Sequence, residues 1–236
     1  QFPPDPEKAV HVEPGSWAGA DNGDPQFKKW FGMYEQPYSP DLNSWAVLTA
    51  LQNIAHALED AMPDHPAREA VETLMLRAET SCYWYWTGQQ EWDNQVTYAA
   101  NKAIGMLGST VEDLARADVT GPTIFPPWAL PENPGDKQWG PHGNLLDAPR
   151  QCTIHSFVYD VAGLKDVTLT LRSGDGETVM RPTTQRPYPS QTNPARTAEH
   201  VTFTLPESLG DCRYVITAVD ARGNQTVGAL ERIWLA

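Results

Sequence analysis

The sequence lacks the short motifs that mark most nucleotide-dependent, serine-dependent and dithiol enzymes. It has no Gly-rich phosphate loop, no Gly-x-Ser-x-Gly elbow and no Cys-x-x-Cys. Its six histidines, at 11, 56, 65, 142, 155 and 200, include no two at a metal-binding spacing within one helix or strand, so neither a metal nor a cofactor is expected. No run of about eighteen apolar residues occurs, which leaves no candidate membrane-spanning helix. Basic residues are scarce: 17 Lys and Arg against 30 Asp and Glu give a formal net charge of −13. Nine acids and nine bases lie from Ala148 onward, so the part before it holds the whole excess. A chain this acidic is repelled by nucleic acid and by anionic lipid, and the expected partners are a carbohydrate or a protein. The same excess also serves solubility without any ligand.

Cysteine is rare too, with three residues at 82, 152 and 212. Cys152 and Cys212 each stand in a strand-like run, which permits a bridge across a β-sandwich and an oxidising compartment; a pair of buried thiols is the alternative. Cys82 has no Cys or His at ligand spacing and reads as a small buried hydrophobe.

What the chain has in quantity is Trp, Pro and Gly. Residues 1 to about 38 are Pro-, Gly- and Asp-rich with isolated aromatics, the composition of an ordered loop. The opening Gln1-Phe-Pro-Pro-Asp-Pro6 reads as neither a signal nor a transit peptide. Ser39-Pro40-Asp41 then opens a helix, with Ser as N-cap and Pro at the first helical position. Trp45, Leu48, Leu51, Ala55, Leu58 and Met62 recur at three or four, giving one apolar face up to Pro63. Asp64 is the expected cap of a second helix, whose stripe is Ala67, Ala70, Val71, Leu74, Ala78 and Cys82. A third spans about Gln90 to Leu107 and a short fourth Thr110 to Ala117. Connections this short make neighbouring helices antiparallel, a small up-and-down bundle.

Between the second and third helices stand Tyr83, Trp84, Tyr85 and Trp86 in succession. Consecutive rings point all round a helix axis, so some must face a second surface: another layer of the fold, a partner, or a flat sugar. Residues 118–147 are rich in Pro and Gly and read as a linker pressed on a domain surface by Trp128 and Trp139. From Gln151 the period changes to two, with runs at Thr153–Tyr159, Val167–Leu171, Val201–Leu205, Tyr214–Val219 and Ala229–Trp234. Asp175-Gly176 and Arg222-Gly223-Asn224 make tight turns between runs. The expected fold is therefore α+β in two domains: a loop and helical bundle over 1–117, the linker 118–147, and an immunoglobulin-like β-sandwich over 148–236.

Two segments together resemble a known family. Glu13-Pro-Gly-Ser-Trp-Ala-Gly with Asn43-Ser-Trp-Ala-Val, and Ala78-Glu-Thr-Ser-Cys-Tyr-Trp-Tyr-Trp86, resemble the region after the catalytic barrel in glycoside hydrolase family 57, the α-glucan-acting hydrolases and branching enzymes. The resemblance covers roughly residues 11 to 107, and the family's usual Ser-Asp before the aromatic run is Ser81-Cys82 here. It implies a helical bundle bordering a sugar cleft, with Trp17, Trp84 and Trp86 as stacking rings and Glu13 and Asp24 as hydroxyl acceptors. The family's nucleophilic Glu and acid Asp belong to the barrel, so no catalytic residue carries over. The sandwich resembles those that end many secreted polysaccharide enzymes, which implies a secreted, periplasmic or cell-surface location. The expected function is a non-catalytic part of such a protein that binds or frames an α-glucan; the alternative is a stand-alone assembly subunit using the same surfaces.

Overall fold

The computed structural model describes residues 40–80, 82–85, 90–131, 134–139, 144–174, 176–190, 193, 196–207, 210 and 212–233. These form a mixed α+β fold: a helical layer, then two antiparallel sheets and a short two-stranded ribbon.

Helix α1, Pro40–Ala61, is the centre of the helical layer. Its apolar face is wider than the periodicity predicts, because Ala46, Val47, Ala50, Ile54 and Ala57 are buried along with Leu48, Leu51 and Leu58. The small residues explain this, since Ala46, Ala50 and Ala57 let a second layer approach the side opposite the bundle. Helix α2, Arg68–Ala78, buries Val71, Leu74, Met75 and Ala78. Asp64 does not cap it: the helix starts after Ala67, whose N–H donates to His65 Nδ1 at 3.2 Å. A single turn, α3 (Cys82–Tyr85), precedes α4 (Gln90–Leu107), and Gly108 at φ +51° ends α4 before α5 (Thr110–Ala117).

The first sheet has the strand order β1–β5–β9–β8, with β2 pairing the same edge of β5 as β1. Its strands are β1 (Thr123–Ile124), β2 (Trp128–Leu130), β5 (Thr153–Tyr159), β8 (Thr184–Pro187) and β9 (Glu199–Thr204). The stretch expected as a linker thus supplies two strands, and within it β3 (Lys137–Trp139) and β4 (Leu145–Asp147) form the ribbon. The second sheet runs β11–β10–β6–β7, with β12 also on β10: β6 (Leu164–Ser173), β7 (Gly176–Met180), β10 (Cys212–Asp220), β11 (Gln225–Val227) and β12 (Glu231–Ile233).

Alternation along β5 decides how the layers stack. Ile154 and Val158 face a core shared with Val167, Leu169, Leu171, Tyr214, Ile216 and Ala218 of the second sheet. Phe157 and Tyr159 point the other way, into the core of the helical layer with Leu48, Leu51, Ile54 and Trp84. One face of the first sheet therefore packs on the second sheet and the other on α1.

The expected Cys152–Cys212 bridge is corrected by the structure. Both residues are buried thiols in the core between the sheets, and Cys152 Sγ lies 4.0 Å from the Pro131 carbonyl oxygen. Burial pushes the Cys152 thiol up to about 12, with Cys212 beside it adding to the shift. In apolar surroundings a neutral thiol packs as a small hydrophobe.

Candidate functional site

The sequence-predicted ligand residues are brought together only in part. Glu13, Trp17, Asp24 and Trp86 lie outside the described residues, as does the side chain of Cys82. Trp84 is placed in the core, 1 % exposed. Its ring stacks on Trp45 of α1 at 3.6 Å between centroids, and its indole N–H donates to the Ala78 carbonyl at 3.2 Å. Trp45 in turn meets Phe125, which joins Trp128 and Phe157. The Trp84 ring is therefore packing between the helical layer and the first sheet, and not a surface platform for a sugar.

The site that sequence reasoning missed lies where α1, the exit of α5 and a turn from each sheet meet. Asp118, Asp160 and Asp220 are all buried, and each offers a carboxylate oxygen within 4.8 Å of the others. Asp118 follows α5 and accepts the Thr120 N–H through Oδ1 at 3.1 Å. Asp160 directly follows β5 and accepts the Ala162 N–H at 2.8 Å, in a turn completed by Gly163 at φ +89°. Asp220 ends β10; its Oδ1 accepts N–H groups from Arg222 (2.8 Å), Gly223 (2.6 Å) and Asn224 (2.8 Å), with Gly223 at φ +97°. The two turns are tied directly, since the Ala221 N–H donates to the Gly163 carbonyl at 2.8 Å.

Two amides complete the cluster. Asn224 Nδ2 donates to Asp220 Oδ2 at 2.7 Å and lies 3.4 Å from Asp118 Oδ2, which commits this side chain to the network. Asn53, fully buried on α1, accepts the Val161 N–H at 2.8 Å and donates to the Gly121 carbonyl at 3.2 Å, with Asp160 Oδ2 at 3.5 Å. Burial pushes Asp160 up to about 7, and the Asp118 and Asp220 charges add to it. Burial also pushes Asp118 up to about 6, with Asp220 again adding. Three carboxylates this close repel one another, so the arrangement either keeps protons near neutrality or neutralises its charge with a hard cation, for which an all-oxygen donor set is suited.

A second polar pair sits on the helix-facing side of the first sheet. His155 Nδ1 and His200 Nε2 are 3.1 Å apart, and both rings lie nearly parallel to Trp128 at 5.4 and 5.8 Å. Burial lowers both imidazoles to about 4; His200 adds to the shift of His155, and Arg186 to that of His200. The pair is neutral near pH 7 and one ring nitrogen donates to the other.

A signal for the aspartate junction was present in the sequence. Asp160-Val-Ala-Gly163 and Asp220-Ala-Arg-Gly223 repeat one pattern, an Asp three residues before a Gly at the end of a strand, which is the mark of a side chain capping its own turn. Their convergence with Asp118 and Asn53 follows only from the stacking of helices on sheets.

Compared with known proteins, the chain matches no family model, and no curated protein sequence matches it significantly.

Proposed function

We propose that this chain is a non-catalytic scaffold of a protein resembling the post-barrel region of glycoside hydrolase family 57, framing an α-glucan site with its helical layer. The observation that supports this reading is the Trp45–Trp84 stack at 3.6 Å. The helix opening Asn43-Ser-Trp45-Ala-Val and the aromatic run at Tyr83-Trp84 are separate in sequence, and they carry the resemblance. Their direct contact joins the two described segments on which the resemblance rests. In this reading the half-buried Trp45 and the buried Trp84 are the floor that fixes the run, and Trp17 and Trp86 carry the stacking on sugar, with Glu13 and Asp24 accepting hydroxyls.

The second half is read as an immunoglobulin-like sandwich forming a second domain on the helical one. The orders β1/β2–β5–β9–β8 and β11/β12–β10–β6–β7 support it, because two five-stranded antiparallel sheets packed face to face over a shared core fit that architecture. Secretion, to the periplasm, the cell surface or the medium, is part of the same proposal.

The test is calorimetric titration of the chain with maltoheptaose and glycogen, with a β-glucan control. Saturable α-glucan binding that Trp17→Ala and Trp86→Ala abolish, with unfolding midpoints unchanged, is the expected result. Absence of binding to any glycan at millimolar concentration would overturn the reading. It would favour the assembly subunit, for which the exposed side chains Leu76, Tyr98 and Met106 on the helical layer are the supporting feature.

A further inference from the structure

A cleft of about 310 Å³ opens where the chain crosses from β5 to β6. Its polar lining is set by strand register. Glu199, the first residue of β9, stands directly opposite Val158 of β5 on one side and Pro187 of β8 on the other. Directly opposed residues share a face, and Val158 belongs to the core between the sheets, so Glu199 points to the rim of that core. Val158, Leu164 and Pro187 give the cleft its apolar wall. Thr197 lines it too; the residue is buried, and its hydroxyl meets no hydrogen-bond partner among the described residues. A buried hydroxyl left unpaired is costly, so a ligand that reaches it makes a hydrogen bond that the folded chain does not make for itself.

The charges of the lining do not cancel. Arg196 is taken up by Glu112 at 2.6 Å and by the Tyr159 hydroxyl. Glu199 is held by a neutral group, the Gln185 amide, which donates to one carboxylate oxygen at 2.7 Å, and among the described residues no cation pairs with it. Asp160 lines the cleft as well, so the aspartate junction adjoins it. The uncompensated charge that a ligand meets is therefore negative.

We propose that this cleft binds a primary alkylammonium group, carried by a small amine or by a lysine side chain. An ammonium has three N–H donors and no acceptor, which fits the second carboxylate oxygen of Glu199 and the unpaired hydroxyl of Thr197. Its alkyl stem fits the wall of Val158, Leu164 and Pro187, as the methylenes of long charged side chains lie along apolar surface. The volume is at the lower end of the roughly 300 to 1,000 Å³ of small-molecule sites. An anion would meet Glu199 and Asp160, and a net charge of −13 draws cations to the chain as a whole. The site is distinct from the α-glucan reading, which uses neutral sugars and the aromatic rings of the helical layer.

The test is calorimetric titration of the full chain with pentylamine, 1,5-diaminopentane and Nα-acetyl-lysine methylamide, with Glu199→Gln and Thr197→Val alongside. Pentanol, which keeps the stem and lacks the charge, and pentyltrimethylammonium, which keeps the charge and lacks the N–H donors, are the controls. We expect the primary amines to bind saturably and both controls to bind about tenfold more weakly or not at all. Glu199→Gln should lower amine affinity about tenfold, and Thr197→Val about threefold. Thr197→Val should fold with an unchanged or raised unfolding midpoint, because it removes a hydroxyl that has no partner. The tighter of the diamine and the lysine derivative tells a free amine from a lysine side chain as the source. Three results would overturn the proposal: no primary amine binds at millimolar concentration, either control binds as tightly as pentylamine, or either folded variant binds pentylamine as well as the wild type. Should Glu199→Gln fail to fold, Thr197→Val decides alone. Maltoheptaose binding is unaffected by both substitutions, which separates failure here from failure of the α-glucan reading.

Discussion

Asn53, in the middle of α1, accepts the Val161 backbone N–H at 2.8 Å, across 108 residues of chain. The contact ties the helical layer to the turn that ends β5, and the same side chain lies 3.5 Å from Asp160. Helix α5 adds ties of its own: Glu112 pairs with Arg196 at 2.6 Å, and the Ala115 carbonyl accepts from Arg222 at 3.3 Å. The polar contacts and the Trp45–Phe125–Phe157 packing hold the same two layers together, so disturbing one should be felt as global destabilisation.

Asn53→Ala leaves the buried Val161 N–H without its acceptor, and the expected cost is about 2 to 4 kcal/mol. Urea unfolding followed by Trp fluorescence measures it. A loss under 0.5 kcal/mol would mean that the junction does not hold the layers.

The aspartates and histidines predict opposite pH limbs. Asp160 and Asp118 titrate at about 7 and 6 in the folded chain, against about 3.9 when unfolded. The folded state holds more protons across that window, so their contribution is fully present below about pH 4 and is lost as pH rises through 6 to 7. His155 and His200, lowered to about 4, contribute stability that is present above about pH 6.5 and is lost as pH falls through 4. Asp160→Asn should flatten the upper limb, gaining roughly 2 to 4 kcal/mol relative to wild type at pH 8 compared with pH 4. Unfolding midpoints from pH 4 to 8 test this, and parallel curves for the two proteins would refute it.

Trp84→Ala removes a ring buried to 1 % exposure and should cost about 3 to 5 kcal/mol. In a double-mutant cycle with Trp45→Ala, the stack should appear as a coupling of about 0.5 to 1.5 kcal/mol. Zero coupling would deny that the two rings act as a unit.

In a Cys82→Ser background, Cys152 and Cys212 should react with a thiol reagent only after unfolding, because both are buried and Cys152 is held neutral by burial. Titration of no thiols in the unfolded, unreduced protein would show instead that the two are bridged.

Much of the secondary structure was legible because it rests on local chemistry. Pro40 at a helix start, Gly108 at a helix end and the change from a period of about 3.6 to one of two near residue 151 locate α1, α4, α5, β5, β6, β9 and β10 closely. The strands β1 and β2 were not legible, because Thr123-Ile124 and Trp128-Ala129-Leu130 are too short for a period and stand among prolines. They exist because β5 offers them an open edge.

The sequence by itself determined the longer elements, the mixed α+β class, the acid excess of the first part and the two Asp-x-x-Gly turns. Tertiary structure alone decided that α1 is buried on both sides, that Trp84 is core, and that Asp118, Asp160 and Asp220 lie within 4.8 Å although 42 and 60 residues separate them along the chain. The physical reason is the range of the interactions. Capping, turn geometry and amphipathic periodicity act over a few residues and are written locally, whereas burial, proton sharing and the placement of Glu199 opposite Val158 depend on which layer covers which and on strand register.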